Sequence, residues 1–400
     1  MLFSRLSARL AAALASLALA CGRDVPPRGG HDLPVVENAA PAWKEGQGWR
    51  IAEEPSVVIG EAEGAQAYQF DGVAGALRLA DGTIVVGDRG SGQLRYFTAR
   101  GQHLRSVGRK GDGPGEFRFI DWIGERADSV FVWDLFARRL TVLAPDGGIA
   151  RVLRVEQEAD GEFLQGVGMT ENGTLVLRAI RPRGRREPGE HVDSVAYLRV
   201  STADGEIAGT LGPYLLGDRV TVRSNGLSLT GEVIFGRRGV LVTGPRGFFT
   251  GSTDAFELTA HAEDGRPLHV VRRPHRPTRA TGGDVRRAME QRRAEGDLGK
   301  TLPGMGQVQQ AANRALPHRS TLPAFRRALV DGDGNVWMEE FRSDEQAEST
   351  WSVLDAGGRW LGNVTAPAGL EVLQISGGTV LGRTRDELGV ERVVAHPLLR

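Results

Sequence analysis

Most of the chain is written in short runs of alternating apolar and polar residues separated by polar turns. This two-residue period predicts strands rather than helices. The clearest copy runs Asp81-Gly82-Thr83-Ile84-Val85-Val86-Gly87-Asp88, then Leu94 to Phe97, then Gly101 to Val107. Adding 46 to the residue number carries Ile84 to Val130, Asp88 to Asp134, Leu94 to Leu140, Phe97 to Leu143, Gly101 to Gly147 and Val107 to Leu153, without a gap and with chemical type kept. A period in the forties holding several short strands is the mark of propeller blades. The two copies meet at Gly108-Arg109-Lys110-Gly111-Asp112-Gly113-Pro114-Gly115-Glu116-Phe117. Four glycines and a proline exclude a helix or a central strand there, so this stretch is a surface loop that ends one repeat and starts the next.

Each repeat offers four strands. In the first, about Gln69 to Gly108, they are centred on Leu77 and Leu79, Ile84 to Val86, Leu94 to Phe97, and Leu104 to Val107. In the second, about Phe119 to Val155, they are centred on Ile123, Val130 to Val132, Leu140 to Leu143, and Ile149 to Val155. A third repeat follows with extra residues around Arg181 to Pro188, a basic loop read either as a partner contact or, by preference, as a solvated hairpin tip. A fourth places Gly251, Leu258, Gly265 and Leu268 where the first has Gly87, Leu94, Gly101 and Leu104.

The rhythm then stops. Asp284 to Ala294 shows helical spacing, with Val285, Ala288, Met289 and Arg292 on one face and Asp284 as the expected N-cap. A second helical piece is expected over Gln307 to Leu316. The fifth repeat resumes at Phe325 and the sixth runs from Leu370 to His396, with no good outer strand before Arg400. Ser56 to Ile59 is an apolar strand without a local partner, so it is expected to close the ring against the sixth repeat and remove both open edges.

The repeat unit resembles the NHL type. From about Trp49 onward the chain is similar to bacterial six-bladed β-propeller lipoproteins of mostly unassigned function. Where NHL repeats usually place a proline, Arg118-Phe119-Ile120 follow Phe117. The resemblance implies an all-β fold: a six-bladed β-propeller with a short helical insert, about 282–317, between blades 4 and 5.

The N-terminus adds an address. Arg5 and Arg9 precede the apolar run Leu10 to Leu19, which is of signal-peptide length. It ends Leu17-Ala18-Leu19-Ala20-Cys21, which resembles a lipobox, and Cys21 is the only cysteine in the chain. The expectation is a signal peptide over 1–21 with Cys21 lipidated, the alternative being an ordinary signal peptide with a chance cysteine. Residues 22–48, rich in proline and glycine, are expected to be a flexible tether, and 49–400 the propeller. Gly22 after the cysteine implies the outer membrane in proteobacteria-like sorting.

Charge narrows the partners. Lys+Arg 50 balances Asp+Glu 50, which argues against a nucleic-acid binder. An envelope protein or a small polar ligand is expected instead, and the chain is expected to be a monomer. No HExxH, GxSxG, GxGxxG or P-loop pattern is present, so no catalytic residue is assigned. Asp88 and Asp134 recur at the end of the second strand and are expected to cap turns. With Arg89 and Arg138 they mark one rim as a candidate binding surface. Asp121, Asn172 and Glu371 are the candidates for approaching the central channel, and Arg139 falls on the same rim. No cofactor is called for, though a calcium ion would suit carboxylates converging there, as in lactonase propellers. His261 and His269 could face each other across a hairpin and bind a metal, and two surface histidines on an outer strand pair are the preferred reading. Trp122, Trp133 and Trp337 are read as packing residues. The resulting expectation is an envelope binding scaffold, with a metal-dependent hydrolase or lactonase as the alternative.

Overall fold

The computed structural model describes residues 33–156, 162–181, 186–224, 227–294, 309, 313, 316–344 and 346–400. The strands among them fall into six sheets. The first contains Val73–Arg78, Ile84–Asp88, Gln93–Phe97 and His103–Val107. The second contains Ile120–Arg126, Ser129–Asp134, Arg139–Leu143 and Ile149–Arg154. Each sheet is an antiparallel meander, as the turns Asp81-Gly82 and Asp146-Gly147 require. The innermost strands of the first four sheets and those of the fourth and fifth lie side by side, and that of the sixth lies beside the first. The fifth and sixth are linked by Arg327 Nη1, which donates to Val372 O at 3.1 Å. The fold is a β-propeller.

Its core is a set of wedges between neighbouring sheets. Leu77, Val85, Ile120, Ile123 and Val132 fill the first wedge; Trp133, Leu164, Leu177 and Val200 fill the next. Trp133 and Trp337 are fully buried and half-buried Trp122 packs in the second wedge, in keeping with packing roles. In the loop between the first two sheets, Gly108 has φ 91° and a Cβ there would stand 2.8 Å from the buried ring of Phe117, so only glycine fits.

Closure follows the expected route. Val57–Ile59 pairs antiparallel with Glu391–Leu399 of the sixth sheet, Ile59 opposite Val393 and Val57 opposite Ala395. Arg50–Ile51 extends the same pairing to Leu399 and Leu398. The described part of the expected tether is ordered differently from expectation. Val35–Glu37 runs parallel to Pro267–Arg272 and covers the outer edge of the fourth sheet. Asn38 then bridges two sheets, its amide donating to Gly358 O at 2.9 Å and Arg272 O at 3.2 Å while its carbonyl accepts from Trp360 N at 2.8 Å. The physical reason is that Val35-Val36 offers β-branched residues to an open edge, which outweighs the breaking effect of Pro34 and Pro41.

Two additions stand on one face of the disc. The third sheet begins with Phe163–Met169 and Thr174–Ile180, but its next two strands, Gly189–Ser201 and Ile207–Ser224, are far longer than a blade needs, and Leu227–Glu232 adds a fifth strand. The extra residues around Arg181 to Pro188 lie between the end of one strand at Ile180 and the start of the extended strand at Gly189, and 182–185 are outside the described residues. The strand can continue because Gly217 sits at a register shift where its Cα comes so close to Arg237 O that a Cβ would be 2.7 Å away.

The second addition is the helix Gly282–Ala294 between the fourth sheet (Gly239–Gly244, Gly247–Ser252, Glu257–His261, Pro267–Arg272) and the fifth (Phe325–Val330, Val336–Glu340, Ser349–Leu354, Trp360–Ala366). Its cap is Thr281, not Asp284. Thr281 Oγ1 accepts from Asp284 N at 3.2 Å and Asp284 Oδ2 accepts from Thr281 N at 2.8 Å, a reciprocal arrangement that puts the aspartate inside the first turn. Ala288 and Met289 lean on Val220, Val233, Ile234 and Leu316, a small satellite core beside the wedges. Most of the second helical piece, Gln307 to Leu316, lies outside the described residues.

Candidate functional site

The second strand of every sheet ends on the face that carries these two additions, and there the repeated aspartates are buried turn anchors. Asp88 accepts from Asp71 N at 2.8 Å and Ser91 Oγ at 2.5 Å, and pairs with Arg95 at 2.7 Å, both partners almost fully buried. Asp134 accepts from Arg118 N at 2.7 Å and Ala137 N at 3.0 Å. Both carboxylates are taken up by protein groups. Their neighbours are also engaged: Arg89 Nε donates to Ile120 O at 3.0 Å, its guanidinium lying over Phe119, and Arg138 Nη2 donates to Glu162 O at 2.8 Å. Arg139, expected on the rim, is buried and donates to the Asp112 and Glu116 carbonyls, holding the glycine-rich loop. Arg95 does the same for the loop before the first sheet, through the carbonyls of Gln66, Ala67 and Gln69. Neither anchoring role shows in the sequence, because the partners are backbone atoms of an irregular loop.

At the channel mouth two charged groups stand at the ends of inner strands. On one side Asp121 Oδ2 accepts from Gly166 N at 2.7 Å. Burial pushes its carboxyl above the usual range, against the pull of Gly166 N and the charges of Arg89 and Arg178. Gln165 is held by Arg178. On the other side, in the sixth sheet of Glu371–Ser376, Thr379–Arg385 and Glu391–Leu399, Glu371 pairs with Arg383 at 2.5 Å. Burial works against its charge, but Arg383, with Arg327 and Arg385 beyond it, holds the carboxyl below its ordinary value. Arg383 also binds buried Glu391 at 3.0 Å, and Glu391 accepts from Val73 N at 2.6 Å across the junction with the first sheet. Arg327 pairs in turn with Glu339 at 2.6 Å.

Asn172 does not join them. It is exposed at the tip of the turn between Phe163–Met169 and Thr174–Ile180, at the opposite end of the channel. Asn172 and the two carboxylates therefore do not converge on one point of the channel. Among the described residues no three of His, Cys, Asp and Glu stand within reach of one ion. The histidine pair also fails to form: His261 stacks on Phe248 at 4.7 Å, meets Thr250 Oγ1 at 2.8 Å and Gly265 O at 3.2 Å, and lies opposite Pro267 rather than His269. Burial holds its pKa below the ordinary value. Cys21 lies outside the described residues.

The feature that sequence reasoning missed is a cleft of about 590 Å³ between the two additions and the fifth sheet. One wall is the end of the third-sheet extension, from Leu229 to Arg238; another is the helix, through Asp284, Ala288 and Arg292; the third is Phe325, Arg326 and Phe341 to Ser343. Arg219, Arg238, Arg292, Arg326 and Arg342 face Glu232 and Asp284 as its charged lining. Buried Asp218 braces the assembly, accepting from Arg237 at 2.8 Å and pairing with Arg319, beyond the insert, at 3.3 Å. Burial opposes its charge, yet Arg237 and Arg319 keep its pKa low. No motif marks the cleft, because its walls come from three separate segments that together span roughly a hundred residues.

No protein-family model matches the chain, and no curated protein matches it. Solved structures do. A member of the DUF4221 family from Bacteroides vulgatus matches with a TM-score of 0.49 at 9% identity, over 88% of this chain and 98% of that one. A virginiamycin B lyase from Staphylococcus aureus matches with a TM-score of 0.40 at 8% identity, over 87% and 99%. The calcium-binding protein regucalcin from Agrobacterium tumefaciens matches with a TM-score of 0.35 at 12% identity, over 92% and 96%. None of these likenesses is close enough to bear on activity, and the assignment of the fold rests on the sheet topology above.

Proposed function

We propose that this chain is a cell-envelope lipoprotein, attached through Cys21 to the outer membrane, whose six-bladed, NHL-like propeller works as a binding scaffold. The observation that carries the reading is the elaborated face. The strand extension and the helix, which the repeat does not require, together with the fifth sheet enclose a cleft of small-molecule size. The charged groups of the channel mouth are meanwhile tied to one another or to backbone amides, an arrangement suited to holding shape. The ligand is a small polar molecule or an envelope protein that docks on this face. The protein works as a monomer and does not bind nucleic acid.

A hydrolase reading draws on one observation, the raised pKa of Asp121 at the channel mouth, since perturbed carboxyls gather at catalytic sites. Metal analysis of the purified protein, with ester and lactone hydrolysis assays on wild type and Asp121→Asn, separates the two. The scaffold reading expects no stoichiometric metal and no turnover. Stoichiometric calcium or zinc, or hydrolysis abolished by Asp121→Asn, would overturn it.

A further inference from the structure

We infer that the cleft between the strand extension, the helix and the fifth sheet binds an organic anion, a molecule joining a carboxylate or phosphate to an apolar or aryl part. This rests on the binding-scaffold reading and names the class of its ligand.

Charge comes first. Five guanidinium groups line the cleft against two carboxylates. Both carboxylates are already committed to the protein, Glu232 to two of the five arginines, and Arg342 also pairs with buried Glu339 at 3.4 Å. Glu232 holds Arg238 at 2.6 Å through one oxygen and Arg219 at 3.4 Å through the other. Asp284 accepts from Thr281 at 2.6 Å, Ser343 Oγ at 2.7 Å and Arg287 at 2.7 Å, and these bonds hold its carboxyl well below the usual range, so it stays ionised and engaged. A low-dielectric cleft with a surplus of one sign concentrates ions of the other. The planar guanidinium fork matches carboxylate and phosphate oxygens in particular.

The apolar part of the ligand follows from the wall. Phe235 and Phe341 meet edge to face, 5.8 Å apart at 83°. Phe235 is held at φ 57°, a left-handed conformation that a bulky side chain seldom adopts. Such strain persists only where the surroundings impose it, and it gathers at ligand sites. Here the turn is pinned on both sides, by Gly236 N donating to Val233 O at 2.9 Å and by Asp218 accepting from Arg237 N at 3.1 Å. The result is an aromatic wall beside a cationic lining, which discriminates against cations and against fully hydrated small anions.

Calorimetric titration of the purified protein tests this with phenyl phosphate and octanoate, against benzyl alcohol and inorganic phosphate. At least one organic anion should bind about tenfold or more tighter than benzyl alcohol and than inorganic phosphate, and weaken as salt is raised. Comparing phenyl phosphate with octanoate tells which head group the cleft takes. Arg292→Gln and Arg326→Gln, measured at a temperature where thermal unfolding shows each variant folded, should each weaken binding about fivefold or more, whereas Arg246→Gln, in a turn on the opposite face, should have no effect. Equal binding of benzyl alcohol, or anion binding indifferent to both cleft variants, would overturn the proposal. If neither organic anion binds, the cleft inference fails and the scaffold reading stands. If an anion binds and is also hydrolysed, the scaffold reading fails and the cleft inference stands.

Discussion

Asp88 shows how a repeated residue can be structural. It sits where a rim ligand would be sought, yet its oxygens are consumed by Asp71 N, Ser91 and Arg95 inside the protein. Asp88→Ala should therefore cost about 3–5 kcal/mol in denaturant unfolding, because it strands the buried Arg95 guanidinium. Binding at the cleft, on another part of the face, should survive in the fraction that folds. Asp121 makes the opposite case. Its folded pKa is raised, so above that pKa its charge carries a desolvation penalty that the unfolded chain does not. Asp121→Asn keeps an acceptor for Gly166 N and removes the charge. The variant should be more stable than wild type at neutral pH, and the gap should close as pH falls through the folded pKa toward the unfolded value near 3.8. Parallel unfolding curves at neutral and acidic pH measure this, and a gap that widens on acidification would contradict it.

At the scale of elements, the N-terminal segments act as staples. Three truncations separate their contributions in thermal unfolding. Removing 1–32 should leave the melting temperature unchanged. Removing 1–48 also strips Val35–Glu37 from the edge of the fourth sheet and deletes the Asn38 bridge to Gly358 and Trp360. At roughly 0.5–1.5 kcal/mol per lost hydrogen bond, that should cost several kcal/mol. Removing 1–60 additionally withdraws Val57–Ile59 from Glu391–Leu399 and should cause aggregation through the opened edge. The helix is held more lightly, by its cap and by Ala288 and Met289. Thr281→Ala should reduce stability by about 1 kcal/mol, the usual worth of an N-cap, and loosen the cleft wall. Hydrogen exchange over Gly282–Ala294 reports that loosening; unchanged protection there would mean the cap is redundant.

For the whole molecule, the proposed anchor decides where the scaffold works. Cys21→Ser should move the protein from the membrane fraction to a soluble or uncleaved form. Attachment by acyl chains contributes about 0.8 kcal/mol per buried CH₂, enough for durable binding only when several chains are present. A serine variant that fractionates like wild type would refute lipidation.

The repeat, its strands and the closing role of Ser56 to Ile59 were legible in the residues alone. Period-two alternation and Asp-Gly or Asn-Gly turns are local properties, and a strand left without a partner at each end of the chain implies closure. The burial of Trp133, the turn-capping roles of Asp88 and Asp134, and a helix over Asp284 to Ala294 were legible for the same reason. The ordering of Val35–Glu37 was not, since it depends on an edge some 230 residues away, by residue number. Nor was the separation of Asn172 from Asp121 and Glu371, because an inner strand and its turn lie at opposite ends of the channel. The cleft is the largest such case. Phe235, Arg292 and Phe341 carry no shared motif, and only the docking of the helix on the strand extension makes them neighbours, through apolar contacts whose partners no local pattern specifies.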